Sequence, residues 1–161
     1  MFPKKTARGK KTFPGSRRSL EDMDFWSLVK ILDAETSYRV RTDAAIAAGL
    51  GGLIPCYTCG QYHHFKDMDC GHMIIRKFFG TRWKREILRP QCTSCNLYHE
   101  GRHTEFRKRL VAEIGEARMQ TLEQYAQVYG HTHPDRLLLI EQIQELRKEN
   151  NKRRKEEPWR T

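Results

Sequence analysis

Long apolar runs are missing from this chain. The longest, Ala44 to Ile54, is short and rich in Ala and Gly, below the ~18 residues that would suggest a membrane-spanning helix. No apolar stretch follows the basic start, so a secretory signal and a membrane partner are not expected, and the expected setting is the cytoplasm of a host cell. Acidic residues are absent from residues 1–18, which carry Lys4, Lys5, Arg8, Lys10, Lys11, Arg17 and Arg18. Apolar residues are few overall, at 38% hydrophobic with a mean hydropathy of −0.79. A core that small often needs a staple such as a structural metal. No internal repeat is visible.

What is abundant is positive charge. Thirty Lys+Arg against twenty Asp+Glu leave the 161-residue chain at +10, with a pI near 9.6. That length suits one compact domain with helical additions. Residues 1–18 read as a basic flexible arm, either a solubilising tail or a phosphate-binding one. Each phosphate neutralised releases counterions, so binding through the arm should weaken steeply with salt.

Periodicity organises the rest. A helix is expected over residues 19–48, with Ser19-x-x-Asp22 as a weak capping box and Phe25, Leu28, Val29 and Leu32 on one face. Gly49, Gly51 and Gly52 should end it. Residues 49–104 read as a separate module, within which residues 56–103 lack sustained helical periodicity and hold all five cysteines. Helices are expected again over 105–150. Their stripes are Phe106, Leu110 and Ile114; Met119, Leu122, Ala126 and Tyr129; and Leu137, Ile140, Ile143 and Leu146, each reading as core. The last stripe could also serve a homodimer interface. Residues 151–161 read as a charged tail.

The strongest motif is Cys56-x-x-Cys59, then 32 residues, then Cys92-x-x-Cys95. Such turns present thiolates at the ~2.3 Å sulfur distance that Zn²⁺ prefers, and two of them close a tetrahedral, structural shell. Four cysteines paired this way in a reducing compartment favour metal over disulfides. Cys70 is left over and reads as a small buried hydrophobe.

Between the pairs lies the strand-like run Asp67-Met-Asp69-Cys-Gly-His72, and directly after them come Asn96, His99 and His103. A strand bearing Asp and His, held by zinc against a helix start bearing Asn and His, can bind one divalent cation beside an imidazole. That suits phosphodiester hydrolysis: the cation neutralises phosphate charge and a neutral imidazole takes a proton from water. An ordinary imidazole would make the rate rise through neutral pH. Arg76, Lys77, Arg82, Lys84 and Arg85, interleaved with Phe78, Phe79 and Trp83, favour a DNA-facing loop over a plain solvated face.

Taken in order, Cys-x-x-Cys-Gly, Asp-Met-Asp-Cys-Gly-His, Thr81-Arg82-Trp83, Gln91-Cys-x-x-Cys-Asn96 and the following Gly101 resemble the phage NinG (Rap) recombination family. The resemblance covers roughly residues 25–146, and that family is similar to the HNH and endonuclease VII nucleases. It implies an α+β fold: a small zinc-stapled treble-clef module of ββα-metal, HNH-like type, flanked by an N-terminal helix and C-terminal helices. By it, His72 matches the general base and Asn96 the ligand of a catalytic Mg²⁺ or Mn²⁺. The other ligand usually precedes the base, where this chain has Gly71, so Asp69 is the expected substitute, with His99 as a further ligand. Arg76, Arg82 and Trp83 match family positions suited to phosphate contact or packing. The implied function is a metal-dependent DNA endonuclease of phage recombination that prefers branched or Holliday-junction DNA.

Two departures stand out. The family reads Arg-Trp-Asp-Glu-x-Asn before the second knuckle, whereas this chain has Arg82-Trp83-Lys84-Arg85-Glu86-Ile87, which puts Ile87 at the middle Asn of HNH. Arg102 likewise stands where the family carries Asn. These leave open a zinc-stabilised DNA-binding or accessory protein without cleavage, and more weakly a zinc-bearing transcription regulator.

Overall fold

The computed structural model describes residues 19–156; the basic arm 1–18 expected from the sequence and residues 157–161 lie outside the described residues. Four helices and two small antiparallel sheets make an α+β fold. Helix α1 (Phe25–Ala48) does not start at the Ser19 box, which forms only a single short turn. Asp24 is the cap, accepting from the Ser27 N–H at 2.9 Å, and it satisfies one of the N–H groups left free at a helix start. Gly49, in the left-handed conformation, closes the helix.

Strands β1 (Leu53–Pro55) and β2 (Tyr62–His64) form one hairpin, and β3 (Met68–His72) and β4 (Leu88–Cys92) the other. In the second, Asp69 faces Gln91 and His72 faces Leu88. A short π-helical turn, Ser94–Tyr98, leaves β4. Then come α2 (His103–Ile114), α3 (Glu116–Tyr129) and α4 (Arg136–Glu156).

The apolar stripes bury in three places. Leu28, Val29 and Leu32 of α1 meet Leu139, Ile140 and Ile143 of α4, with Phe79 beneath. Phe106, Leu110, Met119, Leu122 and Ala126 cover the β3–β4 connection through Met73, Ile74, Phe78 and Ile87. The third cluster surrounds the cysteines, where Ala45, Ile54, Phe65 and Met68 pack on Cys56, Cys92 and Cys95. Each fully buried Leu, Ile or Phe contributes about 1.5–3 kcal/mol. The α4 stripe is therefore used within the chain, against α1; Leu137 is its exposed exception.

The charged tail expected from residue 151 is also corrected, since α4 continues to Glu156. Polar partners on α1 hold it there. Asn150 is fully buried and donates to the Glu35 carboxylate at 2.8 Å and the Glu35 carbonyl at 3.0 Å. Arg154 pairs with Glu35 and Arg153 with Asp43. No helix of the described residues is long and apolar enough to cross a membrane.

Candidate active site

The hairpins exist to present cysteines. Cys56 and Cys59 sit in the β1–β2 turn, closed by the Cys56 N–H donating to the Gln61 carbonyl at 2.8 Å and the Gly60 N–H to the Cys56 carbonyl at 2.9 Å. Cys92 ends β4 and Cys95 lies in the following turn. All four sulfurs lie within 4.8 Å of one another, and Cys59 and Cys92 are 3.9 Å apart. Sulfurs ~2.3 Å from a tetrahedral ion stand about 3.8 Å apart, so the four cysteines are placed to bind a structural metal such as zinc. Burial raises the Cys56 thiol, but N–H groups of Cys59 and Cys92 and the Thr58 hydroxyl bring it down to about 6. Burial pushes Cys92 up to about 12. One thiolate is thus favoured at neutral pH, and a cation's charge is what ionises its neighbours.

Next to this cluster is a cleft of about 400 Å³ lined by Asp69, His72, Arg76, Asn96, Gly101 and His103, among others. It brings together three residues expected from the sequence, Asp69, His72 and Asn96. Asn96 caps none of the adjoining helical turns, whose caps are Thr93, His99 and Arg102. One Asp69 carboxylate oxygen, Oδ2, is buried without a hydrogen-bond partner. A buried, unpaired oxygen of an acid is costly unless a cation or water completes it, and the Asp, Asn and His donors here are those a hard or borderline divalent ion accepts.

His99 is not among the cleft residues, and His103 is. The expected helix from the second knuckle is broken: Glu100, Gly101 and Arg102 follow one another with φ of 50°, 72° and 48°. Two of these are non-glycine residues in the left-handed region, costing about 1–2 kcal/mol each. The break turns His99 into a separate concavity with Thr58, Cys59, Arg102 and Arg109, while His103 borders both. His99, expected beside Asp69 and Asn96, thus lies outside this cleft, and His103 lines it instead.

His72 is half-buried. Its Nδ1 lies 3.0 Å from the Cys70 carbonyl, which can only accept, so Nδ1 carries the proton and Nε2 keeps its lone pair. Burial lowers its pKa to about 4; the Cys70 contact opposes this and the Arg76 charge adds to it. The imidazole is thus neutral across the neutral range, so a rate that depended on this ring would not rise there. Stability follows the same sign. Between about 6.5 and about 4 the unfolded chain binds a proton at this residue that the folded chain refuses. The contribution is present above pH 6.5 and lost as pH falls towards 4. Thermal melts of wild type against His72→Gln over pH 4–7 check this: the gap should narrow on acidification. Cys70, also in the cleft, is pushed by burial up to about 12 and stays a neutral thiol.

The loop expected to face DNA divides. Arg76 and Lys77 are exposed, and Arg76 borders the cleft. Arg82 and Trp83 are anchors instead. Arg82 donates to both Asp33 carboxylate oxygens, at 2.9 and 2.6 Å, and to the Arg76 carbonyl at 2.7 Å. Trp83 Nε1 donates to Asp33 at 2.8 Å. Arg85 is paired with Asp43, and the Lys84 ammonium sits over the Tyr125 ring. Asp33, on α1, carried no local signal in the sequence. With Arg82 and Asp33 only 13% and 22% exposed, Arg82→Ala should cost about 3 kcal/mol, the lower end for breaking a buried pair. Denaturant midpoints test this, and an Arg82→Ala protein of wild-type stability with lost DNA affinity would return Arg82 to the interface. Ile87 is completely buried in the core, so no polar group occupies the middle-Asn position.

A family model described as Bacteriophage Lambda NinG protein matches residues 51–157, which include both cysteine pairs and the whole cleft. No curated protein and no solved structure matches the chain.

Proposed function

We propose, from the premise that this chain belongs to the bacteriophage lambda NinG family, that it is a metal-dependent DNA endonuclease of phage recombination. In this reading the two knuckles form a zinc-stapled treble clef of HNH-like type, and branched DNA is the preferred substrate. The observation that carries it is the meeting of Asp69, with its unpartnered buried oxygen, and His72, with a free Nε2 lone pair, in one cleft beside the cysteine cluster.

Asp69 and Asn96, with His103 beside them, would hold the cation. A bound Mg²⁺ or Mn²⁺ would neutralise phosphate charge and stabilise the leaving oxygen. His72 Nε2 accepts a proton from water as the water oxygen bonds to phosphorus. The phosphorus bond to the leaving deoxyribose oxygen breaks, and that oxygen leaves with a proton from solvent. The Cys70 carbonyl keeps Nδ1 protonated and the ring oriented. Arg76, at the cleft border and in no ion pair among the described residues, is the side chain placed to hold the phosphate.

The basic arm adds long-range attraction. Deleting residues 1–18 should lower DNA affinity and flatten its salt dependence while metal-dependent turnover persists. Unchanged affinity and slope would make the arm a bystander.

Ile87 favours a second reading, a DNA-binding accessory protein of recombination without cleavage. Labelled linear, nicked, flapped and four-way DNA, incubated with Mg²⁺, Mn²⁺ or chelator, decides between them. Metal-dependent products on branched substrates support the nuclease; tight binding with no product under any metal supports the accessory protein.

A further inference from the structure

Gln91 is completely buried, a rare position for an amide side chain. It lies on β4 opposite Asp69, one residue before Cys92. Its Nε2 donates to Thr58 Oγ1 in the first knuckle at 3.1 Å and to the Gly101 carbonyl at 2.8 Å. A carbonyl can only accept, so this contact fixes which end of the amide is nitrogen. Oε1 is therefore turned towards β3, and a Cβ built on Gly71 would lie 2.1 Å from it. Gly71 has no side chain because Gln91 occupies that volume. The amide thus joins three segments that are distant in sequence: the first knuckle, the strand bearing Asp69 and His72, and the turn at residues 100–102.

That turn is the strained one. Three successive residues with positive φ persist only where their surroundings over-determine them, and the Gly101 carbonyl is held from within the protein by Gln91. On either side of the turn stand Asn96 and His103, both lining the cleft. Asn96 directly follows Cys95 of the cysteine cluster. His103 is seven residues further on, and its approach to Asp69 depends on the turn.

We propose that Gln91 is a positioning residue of the cleft: it pins the 100–102 turn against the β3–β4 hairpin so that His103 faces Asp69 and His72. This rests on the reading of the cleft as a divalent-cation site. Gln91 never touches the substrate; it acts through His103 and the turn.

The test is Gln91→Met, which keeps the volume and removes both donated hydrogen bonds, in the full-length zinc-loaded protein. Mn²⁺ binding is read directly by the electron paramagnetic resonance signal of free Mn²⁺, beside DNA affinity and single-turnover cleavage. Mn²⁺ affinity should fall about 10-fold or more, the range for losing a partner that orients a ligand. DNA affinity should hold, the rate should recover partly at high Mn²⁺, and amide exchange should quicken at residues 99–103. Gly71→Ala/Gln91→Ala is the companion variant, since it refills the space without restoring the tie, and it carries the test if Gln91→Met does not fold. It should match Gln91→Met in Mn²⁺ affinity; wild-type Mn²⁺ binding and cleavage in either folded variant would reduce Gln91 to a space-filler and overturn the proposal. Wild-type protein that binds Mn²⁺ but cuts no DNA would sink the nuclease reading alone, with the Gln91 comparison still decided by Mn²⁺ affinity. Wild-type protein that binds no Mn²⁺ would overturn both.

Discussion

His72→Ala is expected to lower DNA cleavage by about 10² to 10⁴-fold, the usual contribution of a positioned general base, with folding and DNA affinity retained. The reason is local. Among the described residues the imidazole is tied to the carbonyl of Cys70, two residues away on the same strand, so removing it leaves the cysteine cluster and the basic surface intact. Asn96→Ala should behave differently. On the proposed reading it would weaken the hold on the cation, and its defect should shrink as Mn²⁺ is raised, whereas that of His72→Ala should not. The pH profile separates this base from an ordinary histidine. With its pKa near 4, His72 is already neutral at pH 6, so the rate should show no His72-dependent step between pH 6 and 8. Both variants and wild type are best assayed on one branched substrate with binding measured in parallel. If His72→Ala cuts as fast as wild type at equal affinity, the assignment is wrong.

Loss of the structural metal should have the larger effect on folding. Apparent binding energies of structural zinc sites run about 10–16 kcal/mol, against net stabilities of about 5–15 kcal/mol for whole domains. The cysteine cluster is itself one of the three apolar cores, with Ile54, Phe65 and Met68 fully covered around it. The two hairpins have strands of only three and five residues, too short to stand alone in water. Cys92→Ser, or strong chelation of wild type, should therefore unfold residues 49–104 cooperatively. Helices α1 and α4, which share a separate core, should keep part of their helical signal. Elemental analysis should give about one zinc per chain in the folded protein. Folded protein without metal, or with these thiols oxidised to disulfides, would end the idea.

What the sequence determined by itself was everything with a local period. C-x-x-C spacing places thiolates by turn geometry alone, so Cys56, Cys59, Cys92 and Cys95 could be grouped without a fold. The stripes Leu28–Val29–Leu32, Phe106–Leu110 and Met119–Leu122–Ala126 were legible because a helix of 3.6 residues per turn puts them on one face, and these are buried; of the other expected members, Phe25 and Ile114 are only partly covered and Tyr129 is exposed. Asn96 was singled out because it directly follows Cys95, and Asp69 and His72 because they stand in one strand-like run between the knuckles; their roles came from the family resemblance.

Tertiary structure alone decided the rest. Arg82 and Trp83 read as DNA contacts because nothing nearby in sequence neutralises them. Their partner Asp33 lies 49 and 50 residues away and arrives only when α1 packs on the β3–β4 connection. His103, and not His99, lines the cleft because three left-handed residues break the helix on which the expected spacing relied. Gln91 looked like a motif letter, and its use emerges only where Thr58, Gly71 and Gly101 converge on it. Helix α4 outlasted its apolar stripe because Glu35 and Asp43 on α1 pair with Asn150, Arg153 and Arg154 more than a hundred positions later. Short-range periodicity encodes which face of an element is apolar. Which charge is neutralised, and which polar side chain is buried, depends on elements brought together from far apart in the chain, and a local pattern holds no record of them.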